Sequence, residues 1–479
     1  MTVARLVFPA LRWRKETGFG HEDGAIDAAL SLGVGGFIVF GVGGARADEI
    51  GRLTEEIRHR AGRPLLIGSD LERGAGQQAR RLTEIPPPAA LDSLDHETVI
   101  AWAGTTTARE ARRVGINWVL APDADLDLEP ENPIIQTRSF GSDPERVSHA
   151  VSTWIRAAQA EGVLACAKHY PGHGRTRVDS HEGLPRVATP LETLTRTDLR
   201  PFAAAVDAGV ASIMTAHVAY PDWDPAGASA TRSPVVLGYL RRQLRFGGLI
   251  VTDALIMEGA RAGRPETEVV VEALMAGCDL LLYPGDLATV IGAIRSAADS
   301  SETGARVQGS LARYQRALES VSGSTPSAAD VTGLSAPQVA DQLLARGFVR
   351  GLAPSLRGTI DLEVVDDDQG GWYAPGPSDL VRRTLARRKV AVGHGGARVV
   401  LAFAEPRAAK GRAGFGPVSQ ERLAALAPGA ALVILFAHPR LAVELPGDCP
   451  VLCAWHRQPL MQEAVGRWLE RAVGGNGER

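Results

Sequence analysis

Val163–Pro185, VLACAKHYPGHGRTRVDSHEGLP, decides how the chain is read, because it sets three histidines, a lysine and an aspartate behind one apolar run. Val163–Ala167 has the length and character of a buried strand. Pro171, Gly172 and Gly174 forbid a helix straight after it, so the polar residues fall at a strand end and on the following loop. Enzymes built on parallel sheets place their working groups there.

The same theme repeats on either side of that stretch. Eight short apolar runs occur in the first 290 residues or so: Leu6–Leu11, Gly36–Phe40, Pro64–Ile67, Trp118–Ala121, Val163–Ala167, Ala211–Thr215, Leu249–Thr252 and Leu280–Tyr283. Between them lie segments with helical spacing, such as Gly24–Leu32, Ala47–Ala61, His96–Val114 and Pro144–Glu161. Eight strands alternating with helices predict an α/β fold of the (β/α)₈ TIM-like barrel type. In such a barrel the C-terminal strand ends surround one mouth. Here they carry Asp70 and Glu72, Asp123 and Asp125, Lys168 and His169, His217, and Asp253.

A helix around Ser310–Ser320 is expected to close the barrel, so the catalytic domain is read as residues 1–321. The small polar residues of 322–336 read as a linker. Short strands at Ile360–Val365, Arg398–Phe403, Ala431–Phe436 and Val451–Ala454, with helices near Ser419–Leu426 and Gln458–Val473, predict a smaller α/β C-terminal domain over 337–479. The Arg- and Gly-containing loop Arg407–Gly416 is expected to be solvated.

Composition narrows the function classes. With 479 residues and 45% hydrophobic content the chain can fill at least one large core. A net charge of −3 with no Lys/Arg block gives no footprint for nucleic acid. No run of about 18 apolar residues is available to span a bilayer, and the N-terminus lacks a signal-peptide core, so a cytoplasmic enzyme without a membrane partner is expected. The four cysteines are too scattered for a disulfide framework and read as buried thiols.

Two chemistries compete for the histidines. His169 and His173 stand four apart and, with Asp179 or His181, could supply three zinc ligands. That spacing serves a metal on a helix face, however, and Pro171 and Gly172 break any helix between them. No metal or cofactor is therefore expected. The alternative is the triplet Asp179, Ser180, His181: the carboxylate can hold one ring nitrogen and leave the other to carry a proton. Asp253 ends the apolar run GGLIVTD and is placed to attack an electrophilic carbon and hold an ester. Ser180 lacks the G-x-S-x-G elbow of a hydrolase nucleophile.

These residues carry a resemblance. KHYPGHG followed by DSH and Pro185, with APDADLDLEPENPIIQTRSFGSDP (Ala121–Pro144) and GGLIVTDALIMEG (Gly247–Gly259), is similar to the bacterial β-N-acetylglucosaminidases of glycoside hydrolase family 3, the NagZ type. The likeness runs from about Asp70 to Gly285. It implies Asp253 as nucleophile, His181 as acid/base with Asp179 as its partner, and Asp70, Arg138, Lys168 and His169 as contacts to sugar hydroxyls. His173, His217 and Met257 are further candidates, for lining the pocket or fixing its loops. It also implies a carbohydrate substrate, terminal β-linked N-acetylglucosamine from peptidoglycan fragments, cleaved with retention of configuration. The alternatives are a phosphorylase, in which phosphate replaces water, a broader β-glycosidase of the same family, and a silent sugar-binding barrel. Two positions depart from the family pattern: Ala75 replaces its usual arginine, and Ala254 the acid that often follows the nucleophile.

Overall fold

A computed structural model describes residues 2–322, 333–368, 375–408 and 410–474. Backbone packing divides the chain into two compact units. One holds Met1–Thr83, Ile100–Glu129 and Ser139–Val331, and the other Glu84–Val99, Pro130–Arg138 and Thr332–Arg479. The linker expected over 322–336 lies largely outside the described residues.

The first unit is built on parallel strands in the order Ala10–Arg12, Gly36–Phe40, Leu66–Ser69, Trp118–Val119, Leu164–Tyr170, Ser212–Thr215 and Leu249–Thr252. An eighth, Leu281–Leu282, bridges to the seventh through Leu280 and Val251, and pairs Val7 with Leu281 and Phe8 with Leu282. Val7–Phe8 runs on into Ala10–Arg12, so the strands close a ring and the expected barrel is present. Its interior is packed, not hollow. The Phe8 ring meets Trp118 edge-on at 5.6 Å, and Trp118 Nε1 donates to Ser212 Oγ at 2.9 Å. Gly68 leaves room for them, since a Cβ there would lie 2.9 Å from Ile38 Cδ1 and 3.2 Å from Trp118 Cε3.

Local signals set the helices. Ala47–Ala61 presents Ile50, Leu53 and Ile57 to the core and stops at Gly62, whose φ of +59° suits glycine. Pro144–Ala160 starts on Asp143, whose carboxylate accepts from Glu145 N and Arg146 N, with proline in the first turn. Ser301–Ser322 is the expected closing helix. Its Ser310, Arg306 and Arg313 bind the buried Asp279 at 2.9, 3.2 and 3.2 Å, and Tyr314 donates to Gly35 O at 2.7 Å.

The second unit carries a five-stranded sheet in the order Phe348–Arg350, Val451–Cys453, Leu432–Phe436, Ala397–Phe403, Ile360–Asp366, parallel except for the first pair. The loop Arg407–Gly416 is not solvated as expected. Arg407 and Lys410 are buried, Lys410 Nζ lies 3.2 Å from both Asp367 and Asp368, and Arg457 Nη1 lies 2.7 Å from Asp368. Burial, with the charge of Glu405 adding to it, raises the Asp368 carboxyl to about 6.

Segment 84–99 packs with this unit: Gln458 Nε2 donates to Ile85 O at 3.0 Å, Leu460 N to Glu84 Oε2 at 2.8 Å, and Arg346 Nη1 to Leu94 O at 3.3 Å. A chain cut after Ser322 loses all three partners. Limited proteolysis is then expected to cleave within 84–99 in the shortened chain and not in the full one. Equal resistance in the two would contradict that anchoring.

Candidate active site

The fifth strand runs to Tyr170, longer than its apolar run, with all seven residues buried. Lys168 and His169 are therefore inside the ladder and not just after it. The buried Lys168 ammonium is held by two carboxylates, Asp70 Oδ1 at 2.6 Å and Glu72 Oε1 at 2.7 Å. Asp70 follows the third strand directly and Glu72 lies in the turn after it, so the chain end brings both carboxylates to the same ammonium. His169 Nδ1 donates to Asp125 Oδ2 at 2.8 Å, and the other oxygen of Asp125 accepts from His173 N at 2.5 Å. In sequence Asp125 is only one of several polar strand-end residues. Its pairing with His169 joins the loop after the fourth strand to the end of the fifth, which spacing does not encode.

The loop that follows is fastened at several points. A Cβ at Gly174 would stand 1.5 Å from Leu126 O, so only glycine permits that approach. Arg175 Nε binds both oxygens of Asp198 at 3.1 and 3.0 Å. Asp179 is buried, and its Oδ1 accepts from both the backbone N and the Nδ1 of His181, at 2.9 and 2.6 Å. That fixes the tautomer with Nδ1–H on Asp179 and turns Nε2 to the other side of the ring. Gly259 N donates to Ser180 O at 2.9 Å. A Cβ on Gly259 would come within 2.7 Å of Ser180 O and 2.8 Å of Gly183 O, so the loop docks on the segment that follows Asp253.

Asp253 stands one residue past the seventh strand and is partly exposed. Its Oδ1 accepts from Ala254 N at 2.7 Å. Burial opposes its ionisation, but the imidazoles of His169, His217 and His181, with the Ala254 N–H, outweigh it and hold the carboxyl down at about 2. The structure thus brings Asp253, His181, His169 and His217 into one electrostatic neighbourhood.

The further candidates take fixed positions. His217 Nδ1 meets Thr231 Oγ1 at 2.8 Å and its Nε2 meets Ala254 O at 3.2 Å. The carbonyl accepts only, so Nε2 carries a proton, while Thr231 Oγ1 also donates to Ala216 O at 3.2 Å. Burial lowers its pKa. Met257 is buried at the start of the short helix Glu258–Arg261. Arg138 falls in the second compact unit, where Nη1 donates to Ile134 O at 3.1 Å. Ala75 is buried in the turn Ala75–Gln77, and Ala254 serves through its backbone alone in the bonds just described.

His173 has both ring nitrogens engaged, Nε2 with Ser180 Oγ at 3.0 Å and Nδ1 with Thr176 Oγ1 at 2.8 Å. Burial, reinforced by the charge of His169, brings its pKa down to about 3 from 6.5. Between those values the unfolded chain binds the proton and the folded one does not, so stability rises with pH across the window and falls as acid is added. His173→Gln is expected to flatten the pH dependence of unfolding between pH 6 and pH 4, by up to about 1.4 kcal/mol per pH unit. An unchanged slope in denaturant melts would contradict a neutral, structural His173.

Among the described residues, Asp123, Asp125 and His169 bring one ligand atom each to within 4.8 Å of one another and are the group that could hold a metal. In the alternative weighed from spacing, His169 and His173 with Asp179 or His181, His173 engages both ring nitrogens with Ser180 and Thr176. No helix among the described residues is long and apolar enough to cross a membrane.

Comparison with known proteins agrees with this geometry. A β-hexosaminidase of Tolumonas auensis is 38% identical over 259 residues, covering 52% of this chain and 75% of the relative. A β-N-acetylglucosaminidase/β-glucosidase of Cellulomonas fimi is 33% identical over 243 residues, and the chain spans only 43% of that relative. Among solved structures, the glycoside hydrolase family 3 β-N-acetylglucosaminidase from Paenibacillus sp. str. FPU-7 matches with a TM-score of 0.82 and 25% identity, over 98% of this chain and 96% of that one. Residues 25–317, more than half of the chain, fit the model of the glycosyl hydrolase family 3 N-terminal domain. Read with a closed parallel barrel whose strand ends present a carboxylate and several imidazoles, that match places the chain in glycosyl hydrolase family 3.

Proposed function

We propose that this glycoside hydrolase of the hexosaminidase type is a retaining exo-β-N-acetylglucosaminidase working by two displacements. The observation that carries the reading is the Asp179–His181 pair, docked through Gly259 beside the ionised Asp253. In the first step an Asp253 oxygen attacks the anomeric carbon. The glycosidic carbon–oxygen bond breaks, and the leaving oxygen takes the proton from His181 Nε2. In the second, the neutral imidazole accepts a proton from water, the water oxygen bonds to the anomeric carbon, and the ester bond to Asp253 breaks to restore the carboxylate. Carboxylates usually fill both roles in glycosidases, so a histidine acid/base is a departure from that pattern.

Asp70, Lys168 and His169 are proposed to hold the sugar hydroxyls. Charged donors and acceptors in a partly dry pocket suit that work. The proposed substrate is a muropeptide fragment met in the cytoplasm, which rests on the family likeness. The test is to incubate the protein with the aryl β-glycosides of N-acetylglucosamine and of glucose, the second because the Cellulomonas relative is named for both. Release from the N-acetylglucosaminide is expected to dominate. A preference for the glucoside would sink the substrate assignment.

A further inference from the structure

The residues assigned above take five consecutive strand ends of the ring, the third to the seventh. The other three ends, on the eighth, first and second strands, adjoin one another and carry Tyr283, Arg12 and Phe40. Tyr283 follows Leu281–Leu282, Arg12 ends Ala10–Arg12, and Phe40 ends Gly36–Phe40. Arg12 and Phe40 are register partners. The Arg12 guanidinium carbon lies 4.7 Å from the centre of the Tyr283 ring and 5.7 Å from that of Phe40, and the two rings are 6.2 Å apart. All three are partly exposed.

Among the described residues no carboxylate pairs with the guanidinium. The backbone N–H of Arg12 donates to Glu22 Oε1 at 2.9 Å, but among the described residues no ion pair or hydrogen bond engages its side chain. Other partly buried arginines of the barrel behave differently: Arg175, Arg241, Arg306 and Arg313 all reach an aspartate. Tyr283 also holds φ at +54°, a region disfavoured for an aromatic residue and kept where a site needs it. A guanidinium resting beside two rings keeps its planar fork of donors ready for an oxyanion, and ring faces next to it suit a sugar ring.

We infer that Tyr283, Arg12 and Phe40 form a subsite for an oxyanion next to the reacting bond. It would be a carboxylate on the sugar that leaves, or free phosphate entering in place of water. This rests on the glycosidase reading and narrows its substrate class. In the phosphate case a phosphate oxygen bonds to the anomeric carbon, the ester bond to Asp253 breaks with its electron pair returning to the carboxylate, and a sugar phosphate leaves.

The test uses the full chain and three variants of the reaction: neutral chitobiose, the N-acetylglucosaminyl disaccharide whose reducing sugar bears a lactyl carboxylate, and an aryl N-acetylglucosaminide with and without phosphate. If the carboxylate is the ligand, Arg12→Gln is expected to lower kcat/KM for the acidic disaccharide about tenfold, and for chitobiose no more than about threefold. Arg12→Lys should recover part of the acidic preference. If phosphate is the ligand, the wild type forms the sugar phosphate and Arg12→Gln forms about a tenth as much or less. Equal losses on every substrate, or an acidic preference that Arg12→Gln leaves intact, would overturn the inference. So would wild-type cleavage of chitobiose with neither an acidic preference nor a phosphate product, and that outcome leaves the hydrolase reading standing. No cleavage of any substrate by the wild type would overturn the hydrolase reading and this inference with it.

Discussion

Asp253→Ala is expected to lose roughly 10³-fold or more of its turnover on an aryl β-N-acetylglucosaminide while the fold survives. The carboxylate is the proposed attacking group, and nothing beside it replaces it: the next residue is Ala254, which contributes a backbone N–H to Asp253. The fold should hold because Asp253 is partly exposed at the barrel mouth, and its removal opens no apolar cavity. With the carboxyl held down at about 2, Asp253 stays ionised throughout the working range, so any acidic limb in kcat/KM above about pH 4 belongs to another group. A purified, folded variant that keeps more than a few per cent of wild-type turnover would remove Asp253 from the nucleophile's role.

The second large effect concerns the proton. Asp179 holds His181 Nδ1 at 2.6 Å and its backbone N at 2.9 Å, so it sets both the tautomer and the aim of the ring. Asp179→Asn keeps the shape and removes the charge that favours an imidazolium. On chitobiose, whose leaving oxygen needs a proton, kcat/KM is expected to fall about 10²-fold. On a dinitrophenyl glycoside, whose leaving group departs as an anion, the loss should stay within about fivefold. Equal losses on both would mean that Asp179 holds the loop in place and has no part in acid catalysis.

Much of the barrel is legible because its strands are apolar runs cut off by Gly, Pro or a charge, and its helices alternate with them. Gly36–Phe40 and Ala47–Ala61 match their expected limits for that reason: the first is bounded by glycines, and the second is amphipathic with Gly62 as its stop. The fifth strand runs past its expected end because the reading stops at the first charge. Burial of the Lys168 ammonium is matched by Asp70 and Glu72, which are nearly a hundred residues away, and a periodic pattern carries no such information.

Leu380–Arg387 escapes notice because three arginines and a threonine break up the apolar pattern on a helix of only eight residues. The packing of 84–99 and 130–138 with the C-terminal residues is hidden for a related reason. Both are detours between strands, and only tertiary contacts say where a detour goes. The site residues themselves were legible as types and positions, strand end and loop. Their partners were not, since Asp125 for His169, Gly259 for Ser180, and the two rings around Arg12 are all meetings of distant segments.

The central claim is a covalent sugar ester on Asp253, and trapping tests it most directly. The wild-type protein is mixed with a slow, activated β-N-acetylglucosaminide, quenched in acid during the burst, digested, and its peptides weighed. The expected result is one N-acetylglucosaminyl increment on the peptide spanning Asp253, absent from Asp253→Ala. A burst of released aglycone with no sugar on that peptide, as attack by the substrate's own acetamido group would give, would contradict it.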